Sequence, residues 1–205
     1  MKRCVIVGAG EIYSPIEVCE RDFIIAADGG YKHLKNANIS PDVLIGDFDS
    51  IDKIPQLTGT EIVRHPVEKD DTDMYLAYKL GVEKGFREFV IYGGVGGRED
   101  HTFANYCLLL DAKNENNNII LIGNKRKTFV IKNEKITLES AAGKCLSVFA
   151  FGSDAYGVSI CGLKYAAENI TLSAAYPLGV SNSFVENKHA SISVENGALL
   201  IMQEV

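Results

Sequence analysis

Residues 88–113 read EFVIYGGVGGREDHTFANYCLLLDAK. A β-branched and aromatic run gives way to four glycines, then to an acidic turn, and then to an apolar segment that predicts a helix from about His101 or Thr102. Strand, glycine-rich loop and helix in that succession form the repeating unit of an α/β layer, which exposes functional groups at the carboxyl ends of its strands. Glycines can present successive backbone N–H groups to an anion, and Arg98 adds a charged fork that suits phosphate oxygens. The plain alternative is a glycine-rich turn followed by Asp100 as a helix cap.

The same rhythm runs along the chain on both sides of this stretch. CVIVG at 4–8, FIIAAD at 23–28, VLIGD at 43–47, EIVRHP at 61–66 and IILIG at 119–123 are short apolar runs separated by segments long enough for helices. They predict an N-terminal layered α/β domain with a mostly parallel sheet. One helix is marked from about Thr72 to Lys84, with acids before it and Gly85 as its C′ residue. After Asn124 the helical segments stop. KTFVIK, EKITLES, KCLSVFAF, GVSICGL, ENITLS and ASISVENGALLIMQ predict short antiparallel strands and therefore a C-terminal β-sandwich or small barrel. Asn196-Gly197 predicts a two-residue hairpin joining the last two. The expected domains are 1–124 and 125–205.

With 205 residues, 46% of them hydrophobic and 23% charged, the chain can bury a substantial core. A net charge of -6 opposes nucleic-acid binding. No apolar run nears the roughly 20 residues that span a bilayer, and the N-terminal apolar run is too short for a secretory segment. Five scattered cysteines without a CxxC pair suggest neither a disulfide framework nor a zinc site. A cytoplasmic location is expected.

Four acidic segments stand where apolar runs end: Asp28 in AADGG, Asp47 and Asp49 in GDFDS, Asp70, Asp71 and Asp73 in KDDTD, and Asp100 in GGREDH. Carboxylates brought together repel unless a cation sits among them, and a hard divalent ion bound through oxygen is the simplest partner. The expected chemistry is Mg²⁺-dependent handling of phosphate. Each Asp also has a structural alternative as a cap or Asx-turn. Gly8 and Gly10 in VGAGEIY lack the third glycine of a dinucleotide fingerprint, and no P-loop occurs. His33, His65 and His189 are read as structural, and His101 as a residue that starts a helix or stands behind the metal ligands, not as a ligand itself.

Together AADGG, PDVLIGDFDS, EKDDTD, GGREDH and GVSNSF resemble the thiamine pyrophosphokinase family, in its order and over essentially the whole chain. The resemblance implies an α/β ATP-binding domain, a thiamine-binding β-sandwich and a homodimer with its active site at the subunit interface. It implies diphosphoryl transfer from ATP to thiamine with Mg²⁺. By position, Asp47, Asp49, Asp71, Asp73 and Asp100 become candidate metal ligands, and Asp71, Asp100 and Arg98 candidate catalytic groups. Asp28, Gly29, Gly94, Gly97 and Arg98 become candidate ATP contacts, and Ser181 and Asn182 thiamine contacts, with Phe184 a possible wall. Another Mg²⁺-dependent nucleotidyl- or phosphotransferase is the alternative.

Overall fold

The computed structural model describes residues 2–47, 59–65, 70–139 and 141–205. The chain forms two compact units, Met1–Leu108 with Asn116–Asn124, and Leu109–Glu115 with Lys125–Val205.

The first unit begins with β1 (Cys4–Val7), β2 (Phe23–Ala27), α1 (Gly30–Asn36), β3 (Val43–Gly46) and β4 (Glu61–Arg64). It continues with α2 (Asp73–Glu83), β5 (Glu88–Tyr92), α3 (Glu99–Asn114) and β6 (Asn118–Gly123). Its strands lie in the order β6-β5-β1-β2-β3-β4. Every pairing among them is parallel. All four residues of β1 are fully buried, as are Ile25, Ala26, Leu44 and Ile91 at the centre of the neighbouring strands. Central strands of a parallel sheet are covered on both faces, so they read as continuous apolar runs and not as alternations. Each such Val, Leu or Ile contributes roughly 1.5–3 kcal/mol by burial. Burial also pushes the Cys4 thiol up to about 12, with the Asp42 and Asp22 charges adding to it.

Local chemistry sets the helix ends. Thr72 caps α2 by accepting the Tyr75 N–H at 3.2 Å. At the other end Gly85 N–H donates to Val82 O (2.9 Å) and Phe86 N–H to Gly81 O (3.0 Å). Those two bonds form a Schellman motif, with Gly85 as its left-handed residue. α3 starts earlier than its sequence suggests, at Glu99, because the Arg98 carbonyl already accepts the Thr102 N–H at 3.1 Å. Asp28 does not cap α1: Gly29 holds that position and no side chain bonds there.

The second unit contains β7 (Arg126–Lys132), β8 (Lys135–Leu138), β9 (Cys145–Ala150), β10 (Ala155–Cys161), β11 (Ala167–Leu172), β12 (Asn182–Ser183), β13 (Ala190–Ser193) and β14 (Ala198–Glu204). Strands β12-β9-β14-β7 and β11-β10-β13-β8 are neighbours in two antiparallel arrays. Leu146, Val148, Leu199 and Ile201 of one join Val158, Ile160, Leu172 and Ile192 of the other in a single core.

The Asn196-Gly197 hairpin is not formed. β13 pairs with β8 and β10, whereas β14 pairs with β7 and β9, so the dipeptide carries the chain from one array to the other. Both Glu195 and Asn196 donate their N–H to Tyr156 O, and Gly197 N–H bonds Asn133 Oδ1 at 2.9 Å. These outside partners replace the cross-strand bonds that a tight turn needs. No helix among the described residues is long and apolar enough to cross a membrane. All five cysteines are free.

Candidate active site

A cavity of about 540 Å³ opens at the carboxyl ends of β1, β2 and β5 in the first unit. That volume suits a small-molecule ligand. Two glycine-rich segments line it, Gly8, Ala9, Gly10 and Glu11 on one side and Gly93, Gly94, Gly96 and Gly97 on the other. They touch through backbone: Gly10 N–H donates to Gly93 O at 2.8 Å and Glu11 N–H to Val95 O at 3.0 Å. The approach explains two glycines. A Cβ at Gly10 would lie 2.6 Å from Gly93 O, and Gly93 itself has φ 63, the left-handed region.

The N-terminal turn of α2 and the first two turns of α3 also reach the cavity, through Thr72, Asp73 and Met74 and through Arg98, His101, Thr102 and Asn105. Helix N-termini carry the positive end of the backbone dipole, so both favour an anion. Arg98 is well exposed, with 71% of its side chain accessible, and grips Asp100 with Nη2 at 2.5 Å and Nε at 3.1 Å. That hydrogen bond holds the Asp100 carboxyl below the usual carboxylate range and raises Arg98 in turn. An exposed pair of this kind contributes little to folding and can exchange partners.

Of the sequence candidates, Asp28, Asp73, Gly94, Gly97 and Arg98 lie on the cavity wall. Gly29, Asp47, Asp71 and Asp100 do not form the wall, and Asp49 lies outside the described residues. Asp71 instead pairs with Lys79 Nζ at 3.0 Å. Among the described residues no three His, Cys, Asp or Glu side chains gather closely enough to hold a metal ion. Both Asp71 and Asp100 have found a cation of the chain's own, which relieves like-charge repulsion without a metal. The carboxylates on the wall nevertheless offer hard oxygen donors, which fit Mg²⁺.

His33, His101 and Asn105, none of them a sequence candidate for ligand binding, also lie on the wall. His33 follows Asp28 on the short α1, and His101 follows Asp100; adjacency to the acidic segments was the available signal. Asn105 is masked by its apolar neighbours in FANYCLLL.

In the second unit Ser181 is exposed, with φ 59 and its N–H donating to Ser147 Oγ at 3.0 Å. Asn182 is buried, and both ends of its amide are engaged. Oδ1 accepts the N–H of Tyr165 and of Ser183, each at 2.9 Å, and Nδ2 donates to Tyr165 O at 2.7 Å. Phe184 belongs to the core, 4% exposed, so it is not an open wall.

The family description "Thiamin pyrophosphokinase, catalytic domain" matches residues 17–121, and "Thiamin pyrophosphokinase, vitamin B1 binding domain" matches 133–199. The chain is similar to the thiamine pyrophosphokinase of Bacillus subtilis, 28% identical over 189 residues that cover 90% of this chain and 88% of that protein. It is also similar to thiamin pyrophosphokinase 1 of Caenorhabditis elegans, 26% identical over 171 residues, covering 77% and 70%. Among solved structures, the Bacillus subtilis enzyme superposes with a TM-score of 0.89 at 25% identity, covering 100% of this chain and 99% of that one. The thiamin pyrophosphokinase of Geobacillus thermodenitrificans gives 0.85 at 25% identity, covering 100% and 98%.

Proposed function

The chain belongs to the thiamin pyrophosphokinase family, and on that premise we propose that it transfers a diphosphoryl group from ATP to thiamine, giving thiamine diphosphate and AMP. The observation that carries this reading is the cavity itself, with glycine-rich walls, two helix N-termini and Arg98 converging on one volume. Such an arrangement receives polyphosphate.

The hydroxyl oxygen of thiamine attacks the β-phosphorus of ATP in line. A bond forms from that oxygen to phosphorus, the bond to the α,β-bridging oxygen breaks, and AMP departs. Catalysis of this kind is mainly positioning and charge neutralisation. The glycine-loop amides, Gly94, Gly97 and Arg98 hold phosphate oxygens, and Asp28 with Gly29 borders the nucleotide. Asp71 or Asp100 accepts the hydroxyl proton, since each stands beside a helix start near the cavity. Asp47, Asp49, Asp71, Asp73 and Asp100 would hold Mg²⁺, which when bound neutralises charge on the phosphates. Arg98 then leaves Asp100 for a phosphate oxygen.

Residues 1–124 serve as the layered nucleotide-binding domain and 125–205 as the thiamine-binding sandwich of a cytoplasmic homodimer. Ser181 contacts thiamine, while Asn182 holds the segment that presents it. The active site lies at the subunit interface, between the α/β domain of one protomer and the β domain of its partner. Co-refolding equal amounts of Asp100→Asn and Ser181→Arg chains tests this: random pairing makes about half the dimers mixed, each with one intact site, so the mixture should regain about one quarter of wild-type activity. Mixed dimers without activity would place the site within one chain.

The reaction is tested by incubating the protein with thiamine, ATP and Mg²⁺ and separating the products. Equal AMP and thiamine diphosphate, abolished by EDTA, are expected. ADP with thiamine monophosphate would overturn the reading and favour another phosphotransferase.

A further inference from the structure

Four successive carbonyls tie down the glycine-rich wall of the cavity. Gly8 N–H donates to Tyr92 O at 2.8 Å, Gly10 N–H to Gly93 O at 2.8 Å and Glu11 N–H to Val95 O at 3.0 Å. The remaining carbonyl, Gly94 O, receives a side chain instead: Asn105 Nδ2 donates to it at 2.6 Å. Asn105 stands on α3, only 7% exposed. Its anchor matters because the loop has little conformational preference of its own. Gly93, Gly96 and Gly97 have φ 63, 84 and 76, and glycine visits many other conformations equally well.

Each peptide unit is planar and trans, so a carbonyl fixed in one direction sends the following N–H in the opposite one. Fixing the carbonyls of Gly93, Gly94 and Val95 therefore fixes the N–H groups of Gly94, Val95 and Gly96, each opposite to its own carbonyl's bond; of these residues Gly94 and Gly96 lie on the cavity wall. A row of oriented amides beside a cavity is an anion-binding concavity. Asn105 supplies the one anchor in this row that the backbone of residues 8–11 does not.

We infer that Asn105 is a positioning residue for the diphosphate portion of the nucleotide: by holding the Gly94 carbonyl it keeps in place the loop whose wall residues, Gly94, Gly96 and Gly97, receive phosphate oxygens through their amides. The inference rests on the reading of this cavity as the ATP site. Asn105→Leu removes the donor at similar volume. Asn105→Asp keeps the shape, but its carboxyl can donate to Gly94 O only when protonated.

The whole protein is titrated calorimetrically with α,β-methylene-ATP and Mg²⁺, and separately with thiamine. Asn105→Leu should weaken analogue binding by about tenfold or more, the effect of an unsatisfied buried carbonyl, and leave thiamine affinity unchanged. Asn105→Asp should be equally weakened at pH 8 and recover relative to wild type as the pH falls towards 5. The ionisable groups on the wall, Glu11, Asp28, His33, Asp73, Arg98 and His101, are common to both proteins and cancel in that ratio. Wild-type affinity in both variants, even with lowered melting temperatures, would reduce Asn105 to a structural anchor and overturn the inference alone. A pH-independent ratio would do the same. Failure of the unaltered protein to bind the analogue would remove the ATP reading, and this inference with it.

Discussion

GGVGGREDH at 93–101 and GVSNSF at 179–184 both look like ligand-binding motifs, yet the structure treats them differently. The first lines an open cavity, with Arg98 exposed and its partner Asp100 also at the surface. The second is largely consumed internally: Asn182 closes three hydrogen bonds to backbone and Phe184 enters the core, leaving Ser181 exposed. A polar residue in a motif can serve a ligand or serve the chain that presents it. Saturated hydrogen bonds and burial identify the second kind.

The largest effect should come from the open side. Asp73 lies on the cavity wall and in the first turn of α2. Asp73→Asn should lower the rate on the order of 10²-fold through lost charge at the phosphate site. Its melting temperature should hardly move, because an acid near a helix start contributes about 0.3–1 kcal/mol. Near-native kinetics beside that small stability change would make Asp73 a helix acid only, and the contrast between the two motifs would fail.

The closed side should respond the other way. Asn182→Ala removes three hydrogen bonds and should cost about 2–4 kcal/mol in urea unfolding. Ser181→Ala should leave the unfolding midpoint nearly unchanged while raising the thiamine KM on the order of fivefold, the scale of one hydrogen bond. If Ser181→Ala destabilised the fold as much as Asn182→Ala, the two would have to be grouped together as structural.

Much of the fold was legible because its signals are local. Six apolar runs became the strands of the first unit, and the bounds of α2 followed from Thr72 and Gly85. The missed hairpin at Asn196-Gly197 shows the limit. Turn chemistry reports what the dipeptide permits, but the pairing partners of β13 and β14 are chosen by contacts distant in sequence. The site was half legible for the same reason. Asp73, Gly94 and Arg98 advertise themselves by composition, whereas Asn105 functions through a carbonyl eleven residues away that only the folded chain brings near.

Two arginine–carboxylate pairs in the first unit repeat the open-versus-closed contrast and yield the smallest predicted effect. Arg3 binds Asp22 through Nε and Nη2 at 2.9–3.1 Å, and Asp22 is 3% exposed, whereas the Arg98–Asp100 pair is mostly in solvent. Burial pushes the Asp22 carboxyl up, but the hydrogen bond from Arg3, the Cys19 N–H and nearby positive charge outweigh it and hold the group below its ordinary value. A carboxyl whose folded pKa lies below its unfolded value of about 3.9 stabilises the fold above that pH and loses the contribution as pH falls through the folded value. Arg3→Gln leaves burial unopposed by the guanidinium. The acid-unfolding midpoint should therefore move to higher pH, with a loss of about 1 kcal/mol at neutral pH because Arg3 is itself partly exposed. Arg98→Gln should leave that midpoint where it is, since both partners are already hydrated. Circular dichroism across an acid titration compares the two variants directly. A larger shift for Arg98→Gln would mean that exposure does not decide which arginine pairs hold the fold and which remain available to a ligand.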